Sequence, residues 1–195
     1  MKNSPMETIE YRGFKIEVYY DWDPMNPITD WDMLGKFVCF HKKYDLSNDQ
    51  RFKSPDELME YVKENKCRLY PLYLYDHSGI TISLSPFSCR WDSGQVGWVM
   101  LEPDDLRKKY KAKRLSKNHW KKAEKVIENE VKVFDDYLTG SVYGFKAFDS
   151  DGEEFDSCWG YYGDTEEMIA EVKANIDKEV DSFELQPFER EGAFV

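Results

Sequence analysis

Apolar and polar side chains alternate with period two along Phe14-Lys15-Ile16-Glu17-Val18-Tyr19-Tyr20, which predicts a strand with one buried face. A turn-rich stretch from Asp21 to Asp32, holding Pro24 and Pro27, leads to Lys36-Phe37-Val38-Cys39-Phe40-His41, a more continuously apolar run that reads as a buried return strand. Ser54-Pro55-Asp56-Glu57 then carries three helix-start signals: a serine cap, proline at the first helical position and glutamate three residues after the cap. Leu58, Tyr61 and Val62 supply the apolar stripe of the short helix that follows.

The order repeats. Leu72-Tyr73-Leu74-Tyr75 predicts a strand, Asp76-His77-Ser78-Gly79 a tight turn and Ile80-Thr81-Ile82-Ser83-Leu84 the returning strand. After a loop, Gln95 to Leu101 reads as a third strand with Val96, Trp98 and Met100 on one face, and Pro103 opens a short acidic-to-basic helix. The clearest helix runs from Ser116 to about Leu138, where Trp120, Ala123, Ile127, Val131, Phe134 and Leu138 recur every three or four residues and Gly140 is the expected stop. A last block pairs Val142–Phe148 with Glu154–Trp159 around Ser150-Asp151-Gly152. Asp164-Thr165-Glu166-Glu167 then starts a helix with Met168, Ile169, Val172, Ile176 and Val180 inward. Hairpins imply antiparallel pairing, so the fold class is α+β: a single domain with an antiparallel sheet and about four helices packed on it, ending in a loose tail from about residue 184.

Composition sharpens this. The 195 residues carry 31 Phe, Trp and Tyr, enough aromatic surface to build a core without disulfides or metal. No apolar run reaches the ~20 residues that span a bilayer, and the first residues lack the apolar stretch of a signal peptide, so a cytoplasmic protein is expected. Cys39, Cys67, Cys89 and Cys158 form no CxxC-type pair, which leaves packed, reduced thiols as the simplest reading and no structural zinc. Net charge is −11, but it is unevenly spread: residues 107–125 total +9 and residues 149–195 total −12. The basic run, with Lys108, Lys109, Lys111, Lys113, Arg114, Lys117, Lys121, Lys122 and Lys125, offers phosphate contacts through counterion release, or is simply a solvated helix face.

Two loops concentrate reactive residue types: Asp76, His77 and Ser78 in one, Ser88, Cys89, Trp91, Asp92, Ser93 and Gln95 in the other. A nucleophilic set would need His77 within reach of Cys89 or Ser88, with Asp92 as orienting group. The strand order puts the second loop at the opposite sheet end, about 17 Å away, which counts against that set and in favour of turn residues and a binding surface. The acidic stretch Asp21, Asp23, Asp30 and Asp32 has the ligand type for a divalent cation, but neither the glycine nor the terminal glutamate of an EF-hand, so no metal or other cofactor is assigned. Glycine-rich phosphate loops are absent.

The stretch Tyr73–Gly79, with Phe87–Cys89 and Trp91–Trp98, resembles a family of small proteins of bacteriophages and conjugative elements with the paired motif YLYDHSG…FSCPWDSGQVGW. The chain departs from it at Arg90, where proline is usual. Further likeness lies in Trp31–Tyr44, in Tyr137–Gly140 with Val142–Gly144, and in Asp156–Gly160. The resemblance implies a bacterial cytoplasm and a mobile-element role. It makes an inhibitor of a host nucleic-acid-handling defence complex, of anti-CRISPR or anti-restriction type, the leading expectation. Contact would run through an acidic face that imitates nucleic acid (Glu166, Glu167, Glu171 and Asp177) or through the basic helix. A nuclease or hydrolase using His77 and the 88–95 loop, and a regulatory or assembly protein of the element, are the alternatives.

Overall fold

Pairing between the chain's first and last hairpins separates it into two sheets. The computed structural model describes residues 4–184; the predicted tail lies outside the described residues. The elements in order are β1 (Glu7–Tyr11), β2 (Phe14–Tyr20), α1 (Pro27–Asp30), β3 (Lys36–Cys39), α2 (Pro55–Asn65), β4 (Arg68–Asp76) and β5 (Ile80–Ser83). They continue with β6 (Ser93–Leu101), α3 (Pro103–Tyr110), α4 (Lys117–Thr139), β7 (Val142–Phe148), β8 (Glu154–Tyr162) and α5 (Glu166–Glu184). The α+β class and antiparallel pairing are as predicted, but the strands form two four-stranded sheets, β1-β2-β7-β8 and β3-β6-β4-β5. Two compact units result: residues 4–22 with 142–184, and residues 23–141.

In the first unit, Ile16 and Val18 of β2 and Phe145 and Ala147 of β7 bury one sheet face against Met168, Val172 and Ile176 of α5. Arg12 and Gly13 join β1 to β2, both at positive φ, the turn that matches strand twist. β1 escapes the sequence pattern because it is an edge strand, mostly exposed, with few apolar positions to mark it. Asp149 builds the β7–β8 turn by accepting from the backbone N–H groups of Asp151 and Glu153, and Gly152 adopts a positive φ there.

In the second unit, Leu72, Leu74, Ile82, Val99 and Leu101 face the α4 stripe of Ala123, Ile127, Val131 and Phe134. Val38 and Met100 face Leu58 of α2 on the other side. The predicted Ser54 cap and Gly140 stop are present: Ser54 accepts from Glu57 N–H, and Gly140 ends α4 in the left-handed region, while Ser116 caps the start of α4 by accepting from His119 N–H. Pro71 sits within β4 on the side where β5 does not reach, since β5 pairs only from Tyr73 onward. The β4–β6 register slips at Leu72/Tyr73: Leu72 stands opposite Gly97 and Tyr73 opposite Gln95, which makes Val96 the extra residue of a bulge. Val96, Trp98 and Met100 were predicted to share one face. The bulge turns Val96 toward the α4 side, while Trp98 and Met100 stay on the α2 side.

The loop after α1 is held by a carboxylate. Glu130 of α4 accepts from Leu34 N–H at 2.7 Å and Gly35 N–H at 2.9 Å, and burial pushes its carboxyl above the ordinary 4.5 despite both donors. A raised native value means that the group favours folding below about 4.5 and loses that contribution as pH rises through the native value. Urea midpoints of the natural chain are therefore expected to fall relative to Glu130→Gln as pH climbs through that window; parallel curves would show no such titration. A Cβ on Gly97 would meet the Val38 carbonyl oxygen at 2.0 Å. Gly97→Ala is expected to cost about 2–3 kcal/mol by the same denaturation, because backbone cannot swing aside as a side chain can.

Candidate functional site

The two loops singled out in the sequence do meet. Tyr75 pairs with Ser93 at the start of β6, Asp76 N–H donates to the Asp92 carbonyl at 2.8 Å, and the Phe87 ring lies 5.7 Å from that of Tyr75. The 84–92 loop thus returns along the sheet and ends beside the β4–β5 turn, which corrects its predicted place at the opposite end. Asp92 is the meeting point: one carboxylate oxygen lies 3.2 Å from His77 Nδ1 and 3.8 Å from Cys89 Sγ. Ser93 Oγ closes the loop by donating to the Cys89 carbonyl.

Asp76 anchors the other side of this cluster. It accepts from Lys43 Nζ at 3.0 Å and Tyr44 OH at 2.9 Å, and these two partners hold its carboxyl below the ordinary value. His41 stacks on Tyr44, and its Nδ1 accepts from the N–H groups of Lys43 and Tyr44. Lys43 and Tyr44 were missed as site residues because they lie more than thirty positions from Asp76 and no local pattern links them. An open groove of about 430 Å³ runs between these groups, lined among others by His41, Asp76, Trp91, Asp92, Ser93 and Gln95, with Trp91 95% exposed at its edge. Ser88 lines a neighbouring depression with Phe87 and Arg90. Ser78, in the turn, has a positive φ.

The chemistry of the cluster follows from which group is central. A nucleophilic triad places an imidazole between the nucleophile and a carboxylate. Here the carboxylate stands between imidazole and thiol, and a carboxylate is far too weak a base to take a thiol proton. The arrangement serves as a latch between two loops and as a polar groove with an aromatic rim.

The predicted basic residues form a second surface on the same unit. Lys108, Lys109, Lys111, Lys113, Arg114, Lys117, Lys121, Lys122 and Lys125 are all exposed along α3, the 111–116 connection and the outer side of α4. Lys108 pairs with Asp105 at 3.3 Å; among the described residues the other eight have no carboxylate partner. His119 completes the α4 capping box, accepting from Ser116 N–H, and stacks on Tyr110. Trp120 lies under the Arg68 guanidinium at 4.1 Å.

The predicted acidic face is less open. Asp177 accepts from Tyr11 OH and Arg12, and Glu171 from Tyr161 OH, while Glu166 and Glu167 are exposed in the first turn of α5. Lys173 and Lys178 interrupt the row, Lys173 over the Tyr11 ring. In the acidic loop, Asp30 accepts from Asn26 N–H and Thr29 Oγ1. Among the described residues no three His, Cys, Asp or Glu side chains converge to hold a metal ion, and no helix is long and apolar enough to cross a membrane. No protein-family model, curated protein or solved structure matches the chain.

The latch carries a measurable coupling. A double-mutant cycle with His77→Ala and Asp92→Ala is expected to give about 0.5 kcal/mol, the scale of a solvent-exposed pair. Zero coupling would show that the two loops are not joined through this contact.

Proposed function

We infer that this protein is an interaction module that engages nucleic-acid phosphates through the α3–α4 surface, and that it does so as an inhibitor of a host nucleic-acid-handling defence complex. The observation that carries the reading is the set of eight exposed cations that have no carboxylate partner among the described residues. The placement of the four on α4, Lys117, Lys121, Lys122 and Lys125, works against that helix. Lys117 occupies the first turn of α4, at the positive end of the helix dipole, with no acidic residue there to offset it. Lys117 with Lys121, and Lys121 with Lys125, are like-charged pairs four residues apart, each worth about 0.2–0.5 kcal/mol against the helix. Residues that break a local rule without a structural gain mark a functional surface.

The defence setting is supported by the sequence resemblance, and the basic surface favours contact with a guide or target strand over imitation of one. Asp177 and Glu171 are engaged within their own unit, which leaves the acidic row fewer groups for a partner. The His77–Asp92–Cys89 cluster favours a second reading, a hydrolase, only in that it gathers the residue types; its order argues for the latch.

Anisotropy with a labelled oligonucleotide tests the phosphate reading. Affinity should fall with rising salt, with a log–log slope on the order of −3 to −4 for about five neutralised phosphates on a single strand. Lys117→Glu with Lys121→Glu and Lys122→Glu should weaken binding by more than about tenfold. The same triple variant should melt no lower than the natural chain, since each change relieves repulsion on α4. Unchanged affinity in that variant, or no binding at low salt, would overturn the reading. Affinity capture from cells carrying defence systems tests the setting: recovery of a defence nucleoprotein that is lost after nuclease treatment is expected, and recovery of none would count against it.

A further inference from the structure

Beside the cationic surface lies a groove that the phosphate reading does not use. The 31–35 loop runs along α4, pinned there by the Glu130 carboxylate on Leu34 and Gly35 N–H. Between loop and helix is an open groove of about 360 Å³, lined by Trp31, Asp32, Met33, Lys125, Val126 and Asn129, with Val133 and Glu130 completing it. Its base is apolar, with Met33 buried and Val126 and Val133 half-buried, whereas Lys125, Asn129 and Asp32 are exposed at its rim and Trp31 is 39% exposed. Through Asp32 and Met33 it adjoins a second depression of about 340 Å³ bounded by Lys36, Asp105, Lys108 and Lys109. Asp105 there is neutralised by Lys36 at 3.8 Å and Lys108 at 3.3 Å, while Lys109 at one end and Lys125 at the other are exposed and form no salt bridge among the described residues.

An apolar slot with an amide and a carboxylate at its rim, set between two phosphate-binding cations, has the chemistry of a site for one exposed nucleobase. The aromatic and aliphatic walls take the ring, and Asn129 and Asp32 offer hydrogen bonds to its edge. A duplex keeps its bases stacked inside and cannot fill such a slot. We propose that the groove between Trp31 and α4 takes one unstacked base of a single strand whose phosphates lie on Lys109 and Lys125. The α3–α4 surface then prefers single strands to duplex. Glu130 is a positioning residue in this arrangement, since it holds the loop that forms one wall.

The inference rests on the phosphate reading above, and the probes separate the two. The full chain is titrated by anisotropy with a short labelled oligothymidylate, an abasic strand of the same length and charge, and a duplex of that length. The oligothymidylate should bind about tenfold more tightly than the abasic strand, the scale of one stacked base. Asn129→Trp, which fills the slot from an exposed helix position, and Trp31→Ala should each bring the oligothymidylate down to the abasic level and leave abasic affinity unchanged. Circular dichroism melts identify any variant that fails to fold, and Asn129→Trp, on the solvent side, is the one expected to keep the natural stability. Equal affinity of the natural chain for all three probes would overturn the base slot alone. A folded Asn129→Trp that keeps the tenfold difference would overturn it as well. Failure to bind any probe would overturn this inference together with the phosphate reading.

Discussion

The seam between α4 and the β3-β6-β4-β5 sheet governs the second unit. Phe134 meets Phe37 edge-on, ring centroids 5.6 Å apart and planes at 88°, a geometry that aligns ring edge with ring face. Around that contact Ile127, Val131, Leu72, Val99 and Leu101 are almost wholly removed from water. Each such side chain contributes about 1.5–3 kcal/mol, far more than any surface ion pair nearby. Once this stripe is turned inward, helical geometry leaves Lys117, Lys121, Lys122 and Lys125 on the opposite side, whatever they cost the helix. The hydrophobic seam therefore also sets where the positive potential points.

A different economy operates where loops replace regular structure. Beyond Leu84, packed on the core, and Phe87, the 84–92 segment has little apolar surface to bury, and it is held mainly by polar contacts converging on Asp92, the Asp76 backbone and the Cys89 carbonyl. Contacts this exposed are individually weak, so the loop's position depends on several acting together. The Lys43–Asp76–Tyr44 contacts add a tie from the segment after β3. Deeper in the fold, Glu130 shows the opposite regime: a carboxylate away from water is kept in place by two backbone donors whose own hydrogen bonds it completes. Asp49 is a second case, its carboxyl held low by the Arg51 guanidinium that also reaches Glu102.

Much of this was legible in residue order. The 3.6-residue periodicity and Ser116–Gly140 boundaries of α4, the Ser54 cap of α2 and the Gly152 turn are local signals, because capping and turn geometry involve neighbours in the chain. The clustering of cations at 108–125 was likewise visible, since a helix cannot bury lysines on every side. What escaped were features that depend on distant partners. β1 pairs only as an edge, the Val96 bulge exists only relative to β4, and Lys43 and Tyr44 join the loop cluster only through the fold.

Sequence by itself determined the α+β class, the antiparallel pairing, the starts of α2 and α3, the limits of α4 and the presence of a strongly basic segment within an acidic chain; the short α1 lay inside the stretch read as turns. Those follow from periodicity, caps and charge, which act over a few residues. Only the tertiary structure decided that β2 joins β7 and so divides the strands between two sheets, that the 84–92 loop comes back to His77, and that Glu130 pins the Trp31 loop beside α4. Strand partners and loop paths are settled by which apolar faces fit together across long chain separations, and no pattern confined to neighbouring residues encodes that choice.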